Sequence, residues 1–128
     1  MRRLLFILVF LLGACSAQPP QPRSAVLQGH VTIGPLSPVV QEGVPEPTPA
    51  PELYAGRMVR VFAEDGQTLI TEAPVNADGT YRVELAPGTY VVMISLVGIE
   101  FSKDLPATVP LDPDQTVTLD IGIDTGIR

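Results

Sequence analysis

Residues 78–90 read DGTYRVELAPGTY, and they contain the clearest structural signals in the sequence. Asp78-Gly79 signals a tight turn, because glycine readily adopts the positive φ that such turns need. Apolar and polar residues alternate from Thr80 to Leu85, as in a strand with one buried face. Pro87-Gly88 then reverses the chain, and a further apolar strand develops around Tyr90. The segment therefore predicts two consecutive strands joined by a turn.

The same period-two alternation extends outward on both sides of this segment. Helices are disfavoured, because no segment has an apolar period of 3.6 and the 128 residues include 14 prolines and 11 glycines. Residues 99–105 are ambiguous, and 108–111 form a weak edge candidate. The predicted strands are residues 25–33, 59–63, 68–73, 80–85, 89–97 and 117–123, and a turn at residues 64–67, which include Asp65-Gly66, is predicted to join the second strand to the third.

Seven or so short strands of this kind predict a single all-β domain over residues 25–128. One sheet alone would leave its apolar face in water, so we expect two sheets packed face to face. Tyr81 and Tyr90 are predicted to lie in the core. Six prolines within residues 35–54 predict a long surface loop, from which Val39 and Val40 are expected to turn back towards the core.

The motif in residues 78–90, D-G-x-[YF]-x-[VF]-x-L-x-P-G-x-Y, resembles the carboxypeptidase regulatory-like domain. Val59, Val61 and Gly66, together with the closing apolar strand, are similar to that family as well, so the resemblance covers residues 25 to 125. It implies a seven-stranded Greek-key sandwich of the transthyretin (prealbumin) type. It implies nothing about activity, because one fold hosts many functions.

Residues 1–14 are predicted to be a lipoprotein signal peptide. Arg2 and Arg3 precede an unbroken apolar run from Leu4 to Leu12, and the small residues Gly13-Ala14 follow. This is the three-part pattern of a secretory signal. The apolar run is much shorter than the roughly 20 residues that a membrane-spanning helix needs.

The stretch Leu12-Gly13-Ala14-Cys15 resembles the bacterial lipobox. The resemblance implies cleavage between Ala14 and Cys15, followed by acylation of Cys15 with a diacylglyceryl group and a fatty acid such as palmitate. The alternative is an ordinary signal peptide with a cysteine nearby by chance. We favour lipidation, because Cys15 is the only cysteine in the sequence.

Residues 15–24 are predicted to be the lipidated cysteine and a disordered, extended, proline-rich tether, SAQPPQPRS after Cys15. The expected location is the cell envelope, with the protein held at a membrane by lipid and facing outside the cytoplasm. Ser16, where an inner-membrane retention signal would have Asp, implies the outer membrane if the host has one.

The charge of the chain argues against nucleic acid as a partner. Fourteen acidic residues outnumber eight basic ones, and losing Arg2 and Arg3 with the leader takes the net charge from −6 to −8. Such a charge repels phosphate backbones, and Lys and Arg are not clustered in the domain. We interpret the acidity as a determinant of solubility.

No catalytic, cofactor or metal site is predicted, and we expect the protein not to be an enzyme. The single histidine, His30, occupies an outward strand position without a recognisable nucleophile, and no serine sits in a G-x-S-x-G elbow. Four acidic residues near the C-terminus offer oxygens of the kind that calcium prefers, but their spacing matches no known loop. A solvated face is favoured for them, and calcium stays open: Asp112, Asp114, Asp120 and Asp124.

Two functions are compatible with these features. The first is a non-catalytic envelope lipoprotein whose sandwich is a structural or protein-interaction module. The alternative is a weak carbohydrate-binding module, for which Tyr54 and Phe62 are the only candidate pair of exposed aromatic residues. A further apolar patch, which either meets a protein partner or is covered by the proline-rich loop, is predicted from Met58, Phe62, Val91 and Met93. We favour coverage by the loop.

Overall fold

Eight β-strands and one 3₁₀ turn make up the described part of the chain, residues 23–39 and 41–128 of a computed structural model. The predicted signal peptide (1–14), Cys15, most of the tether and Val40 lie outside the described residues. The elements are β1 Ala25–Gly34, the 3₁₀ turn Pro51–Leu53, β2 Met58–Ala63, β3 Leu69–Pro74, β4 Thr80–Leu85, β5 Gly88–Ile94, β6 Ala107–Leu111, β7 Thr116–Thr118 and β8 Ile121–Asp124.

The strands form two sheets, which confirms the predicted all-β sandwich. One sheet has the order β4-β1, with β7 and then β8 along the other side of β1. The second sheet has the order β3-β2-β5-β6. β1 pairs antiparallel with β4 but parallel with β7 and β8, whereas every pair in the second sheet is antiparallel.

The core lies between the sheets and consists of the inward side chains of the alternating strands. Tyr81 and Tyr90 are both buried, as predicted. Their hydroxyl groups are satisfied, because Tyr81 donates to the Leu119 carbonyl and Tyr90 donates to the Ala86 carbonyl. The seven largest fully buried side chains are Tyr81, Leu27, Ile121, Val31, Val59, Val61 and Val92.

The predicted strand 117–123 is divided into β7 and β8, so the sandwich has eight strands and not seven. The register with β1 is the same on both sides of the break, and the Leu119 N–H still donates to the Gln28 carbonyl at 2.8 Å, so the ladder is interrupted from the Leu119 carbonyl onward. The reason is a close approach at Gly29, where an added Cβ would lie 1.9 Å from the Leu119 carbonyl oxygen. The Asp120 carboxylate replaces the missing ladder contact by accepting from the His30 N–H at 2.9 Å.

Two other expectations differ from the structure, and the ambiguous segment 99–105 is resolved. β5 ends at Ile94 instead of continuing to residue 97, and Leu96 is 43% exposed. Residues 99–105 contribute only a single bridge, between Phe101 and Asp124. Val39 is 64% exposed, so the expectation that it returns to the core is wrong.

The two Asp-Gly turns are as predicted from the sequence. Gly66 and Gly79 have φ values of +70° and +86°, in the region that glycine favours. The carboxylates of Asp65 and Asp78 accept hydrogen bonds from backbone and side chain within their own turns. These hydrogen bonds, made chiefly with Thr68 and Thr80, lower the pKa of the two carboxyl groups.

Different segments of the chain lie at the two ends of the sandwich. β1 begins at Ala25, beside Leu85 and the turn that precedes β7. It finishes at Gly34, beside Asp124. We call the Gly34 end the distal end, since it is the one away from the point where the chain joins from the predicted tether. Within residues 23–39 and 41–128, no helix has the length and hydropathy needed to cross a membrane.

The contact at Gly29 predicts a sharp difference between two glycines of β1. In Gly29→Ala the new methyl group would collide with the Leu119 backbone, which is not free to move away. We expect a loss of about 3 kcal/mol of unfolding free energy, at the upper end of overpacking effects. Gly34→Ala is the control, because nothing lies within 4 Å of its added Cβ. Urea unfolding of both variants measures the difference, and equal stability would contradict this account of the split strand.

Candidate functional site

A buried ion pair between Arg57 and Glu100 organises the distal end. Two hydrogen bonds join the side chains, from Nη2 to Oε1 at 2.7 Å and from Nη1 to Oε2 at 2.8 Å. The side chains are only 8% and 13% exposed. Such a two-pronged contact is the strongest geometry available to a guanidinium and a carboxylate. The interaction with Arg57 lowers the pKa of Glu100, so the pair is charged at neutral pH.

Arg57 also holds two other pieces of backbone. Its Nε donates to the Leu53 carbonyl at 2.6 Å, and Nη1 donates to the Ser95 carbonyl at 3.3 Å. One side chain thereby holds the 3₁₀ turn and both ends of the segment that follows β5, residues 95–100, by hydrogen bonds. Among the described residues, no buried side-chain nitrogen or oxygen lacks a hydrogen-bond partner. The charge of Arg57 is therefore fully compensated.

The segment after β5 ends in a tight turn that displays two aliphatic side chains. The Glu100 N–H donates to the Val97 carbonyl at 3.2 Å, and the Val97 N–H donates to the Glu100 carboxylate at 2.9 Å. Gly98 between them has a φ of +61°. Val97 is 68% exposed and Ile99 is 75% exposed. We call residues 97–99 the apolar tip.

A groove of about 690 Å³ runs beside the apolar tip, and we call it the end groove. The groove is lined by the apolar tip and by part of the proline-rich segment: Val97, Gly98, Ile99, Pro47, Thr48 and Ala50. Other apolar lining residues are Ile33, Leu36, Leu53 and Ile127. An open groove with mainly aliphatic lining is suited to binding an apolar side chain.

Tyr54 is buried, so its predicted role as an exposed aromatic residue is wrong. Only 4% of it is accessible, and burial raises the pKa of its hydroxyl group. The 3₁₀ turn Pro51–Leu53 directs Tyr54 inward, against the turn at Gly79. Phe62 is half-buried. The predicted pair of exposed aromatic residues is therefore not present.

The predicted apolar patch on the outer face of the second sheet exists in a reduced form. Met58, Phe62 and Val91 are half-buried, and Met93 is 39% exposed. Arg60 pairs with Met93 across the strands, so a charge interrupts the patch. The residues beside Met93 come from the segment 101–106, whereas the proline-rich loop borders the end groove.

The four aspartates near the C-terminus serve separate local contacts. Asp114 pairs with Arg23 at 3.0 Å, and Asp124 pairs with Arg128 at 3.0 Å. Asp120 accepts from the His30 backbone, as described above, and the Asp112 backbone N–H donates to the Gln115 side-chain oxygen at 2.9 Å. In the part of the chain that the structure describes, no three His, Cys, Asp or Glu side chains are grouped as metal ligands.

His30 lies on the surface, as predicted, with Nε2 3.0 Å from the Asp78 carbonyl oxygen. The lipidation residues Ala14 and Cys15 lie outside the described residues. The Arg57–Glu100 pair was not anticipated, because 43 residues separate the partners. The only available signal was a lone Arg directly before an apolar strand, and that pattern is common on surfaces.

The ion pair predicts a large effect of Arg57→Met and a small one of Arg60→Met. Arg57→Met leaves the Glu100 carboxylate buried without its partner, and breaking such a pair costs about 3 kcal/mol or more. Arg60 also pairs with a carboxylate, that of Glu72 at 3.1 Å, but these side chains are 48% and 35% exposed. An exposed pair contributes less than about 1 kcal/mol. Denaturant unfolding of both variants at neutral pH measures the difference.

The pKa of Glu100 also predicts how the destabilisation by Arg57→Met depends on pH. Because folding lowers the pKa of Glu100, the ion pair stabilises the protein above the unfolded pKa of about 4.3. The stabilisation disappears as the pH falls through the lower, folded pKa. The gap in stability between wild type and Arg57→Met should therefore shrink in acid, and a gap that grows in acid would contradict the assignment.

Comparison with known proteins places the chain by its fold. No protein-family model matches it, and no curated protein matches its sequence. The minor pilin GBS52 of Streptococcus agalactiae has a similar structure, with a TM-score of 0.54 at 15% identity over 80% of this chain. A DUF3823 family protein from Bacteroides ovatus aligns with a TM-score of 0.46 at 13% identity over 77% of this chain.

This chain spans 44% of the length of each of those two proteins. At 15% identity, the likeness to the pilin structure extends to the fold and not to residues of a site. The chain is thus an all-β sandwich similar in fold to part of a minor pilin.

Proposed function

We propose that this protein is an exported, lipid-anchored, non-catalytic module that presents its sandwich to a protein partner at the cell envelope. One observation carries the interaction role: the apolar tip, which exposes Val97 and Ile99 on a turn fixed by the Arg57–Glu100 pair. Full burial of an aliphatic side chain of this size contributes about 1.5–3 kcal/mol. A partner that covers the tip gains this energy without first having to order the turn.

The position of the tip supports a protein partner over the anchoring membrane. The ten residues of β1 cover about 30 Å at 3.3 Å per residue, and they separate Ala25 from the distal end. The proposed lipid at Cys15 lies before Ala25 in the sequence. The apolar tip is therefore at the opposite end of the domain from the anchored side.

The lipobox resemblance at residues 12–15 supports the lipid anchor, and the motif at residues 78–90 supports membership of the carboxypeptidase regulatory-like group. The fold is compatible with both, since the chain is an all-β sandwich similar in fold to part of a minor pilin. The carbohydrate-binding alternative loses its main support, because Tyr54 is buried and Phe62 is half-buried.

The anchor is tested with Cys15→Ala in the full-length gene. We expect the wild type in the membrane fraction, with a mature N-terminus at an acylated Cys15 by mass spectrometry. The variant, which lacks the thiol that receives the lipid, should leave that fraction. Ser16→Ala is the control and should stay membrane-bound. An unmodified sulfur at residue 15 in the purified wild type would refute the anchor.

The interaction role is tested by a photo-reactive residue introduced in place of Ile99 in cells. We expect discrete crosslinked protein bands, because the tip is proposed to be covered by a partner. The matched control is Ile70 on β3, another isoleucine that is 48% exposed, which should give no such bands. Identical patterns from both positions would count against the apolar tip as the interaction site.

A further inference from the structure

β4 lies at the edge of its sheet and pairs with β1 alone, so one side of the strand is open. The Val31 N–H donates to the Gly79 carbonyl at 2.7 Å, and this bond fixes which residues direct their backbone groups at β1. That direction alternates along an antiparallel strand, so the residues of β4 that face β1 are Tyr81, Val83 and Leu85. The backbone N–H and C=O groups of Arg82 and Glu84 therefore point to the open side.

Two further observations support an open edge at Arg82 and Glu84. The Thr80 carbonyl, which by the same alternation points away from β1, accepts from the Asn76 N–H at 2.8 Å, so the turn before β4 occupies this edge at Thr80. The Arg82 and Glu84 side chains are 59% and 61% exposed. Among the described residues, no hydrogen bond from outside the sheet ladder reaches the backbone of either residue. Such an edge is a template for another strand.

The other edges of the sandwich are less suited to pairing. β6 contains Pro110, which has no N–H to donate. The pairing of β3 with β2 is distorted by a register shift beside Phe62. On the far side of β1, the ladder is interrupted between β7 and β8. β4 differs from all of these, because its pairing with β1 is continuous from Thr80 to Leu85.

The charges on β4 select one register for a second copy of the same strand. The free backbone groups allow an antiparallel copy to place Arg82 opposite Arg82, Glu84 opposite Glu84, or each opposite the other. The first two registers oppose like charges, which is destabilising across strands. The third is centred on Val83 and sets each Arg82 against the Glu84 of the second copy. Each of these opposed pairs also exchanges two backbone hydrogen bonds.

Charged residues at a sheet edge often prevent pairing, but this pair is not arranged to do so. Prevention requires that like charges meet in the available registers. Here opposite charges stand two residues apart on one strand, which makes the edge complementary to itself. Arg82 and Glu84 already contact each other at 3.3 Å, and because both are exposed, little is lost when they rearrange across the strands.

We propose that the free edge of β4 binds the same edge of a second copy of this chain, giving a symmetric dimer with one continuous sheet. Val83 lies on the two-fold axis, and Leu27 of β1 is opposite Val83. Ala25, two residues from Leu27, is then about 20 Å from Ala25 of the second copy, at 3.3 Å per residue and 4.8 Å per strand. The two tethers leave from the middle of the dimer and the two apolar tips lie at its far ends, which suits two chains anchored in one membrane.

Disulfide trapping tests the register. In the proposed dimer Val83 faces its own copy in a pair without hydrogen bonds, where Cα atoms are about 4.5 Å apart, within the reach of a disulfide. Full-length Val83→Cys, gently oxidised in its membranes, should give a covalent dimer on a non-reducing gel. Val91→Cys is the matched control, because Val91 is also half-buried but lies on β5 in the interior of the other sheet. The parent chain is the control for Cys15.

Charge exchange tests the complementarity. Arg82→Glu and Glu84→Arg each oppose like charges in the dimer, and each should lower crosslinking at position 83 by about tenfold or more. The double variant restores opposite charges and should recover the crosslinking. Chains with Arg82→Glu should also crosslink to differently tagged chains with Glu84→Arg, since every opposed pair is then of opposite sign. Light scattering of the full chain in detergent repeats the comparison without a cysteine at position 83.

Other results overturn the inference in distinguishable ways. Equal crosslinking at positions 83 and 91, or equal dimer fractions in all charge variants, refutes the β4 contact. A crosslinked product of another mass at position 83 assigns the edge to a different protein. A monomer in both measurements refutes the dimer. None of these results decides the role of the apolar tip, because the dimer adds to the photo-crosslinking only a band at twice the chain mass, and a partner protein gives other masses.

Discussion

The distal end of this sandwich depends on one guanidinium group. A buried arginine costs several kcal/mol unless each part of its charge is compensated. Arg57 meets this condition with a two-pronged carboxylate and two backbone carbonyls, contributed by Leu53, Ser95 and Glu100. The same contacts that compensate the charge fix the loop after β5 and the 3₁₀ turn. Order at the apolar tip is therefore a consequence of satisfying a buried cation, and not of local sequence preference.

Much of the architecture follows from local pattern. Alternation of apolar and polar residues located the strands of residues 25–34, 58–63 and 80–85 with errors of one residue or none, because each has one face in the core and one in water. The turns at Gly66 and Gly79 followed from glycine and the aspartate before it, which close the turn within a few residues. Strands and turns that depend on contacts between residues close in the sequence can therefore be predicted from the sequence.

The predictions were wrong where the structure depends on contacts with backbone that is distant in the sequence. Residues 117–123 have clean alternation, yet the strand divides because the Leu119 carbonyl packs over Gly29, 90 residues away. Tyr54 follows a run of prolines and has the local features of an exposed residue, but it is buried against the turn at Gly79. The candidate site could not be predicted for the same reason. The Arg57–Glu100 ion pair that holds it together joins two segments that no sequence pattern connects. Apolar residues at 97 and 99 were visible, but their exposure depends on that pair.

The parallel pairing of β1 with β8 also fixes how the domain would respond to mechanical load. β1 starts at one end of the sandwich, and β8 finishes at the other, with Asp124 beside Gly34. A pull between the two ends of the domain would act along both strands in opposite directions. It would strain the hydrogen bonds between them together, in shear, instead of opening them one after another from an edge. The arrangement therefore resists a pull that is applied at the start of β1 on one side and at the end of β8 on the other.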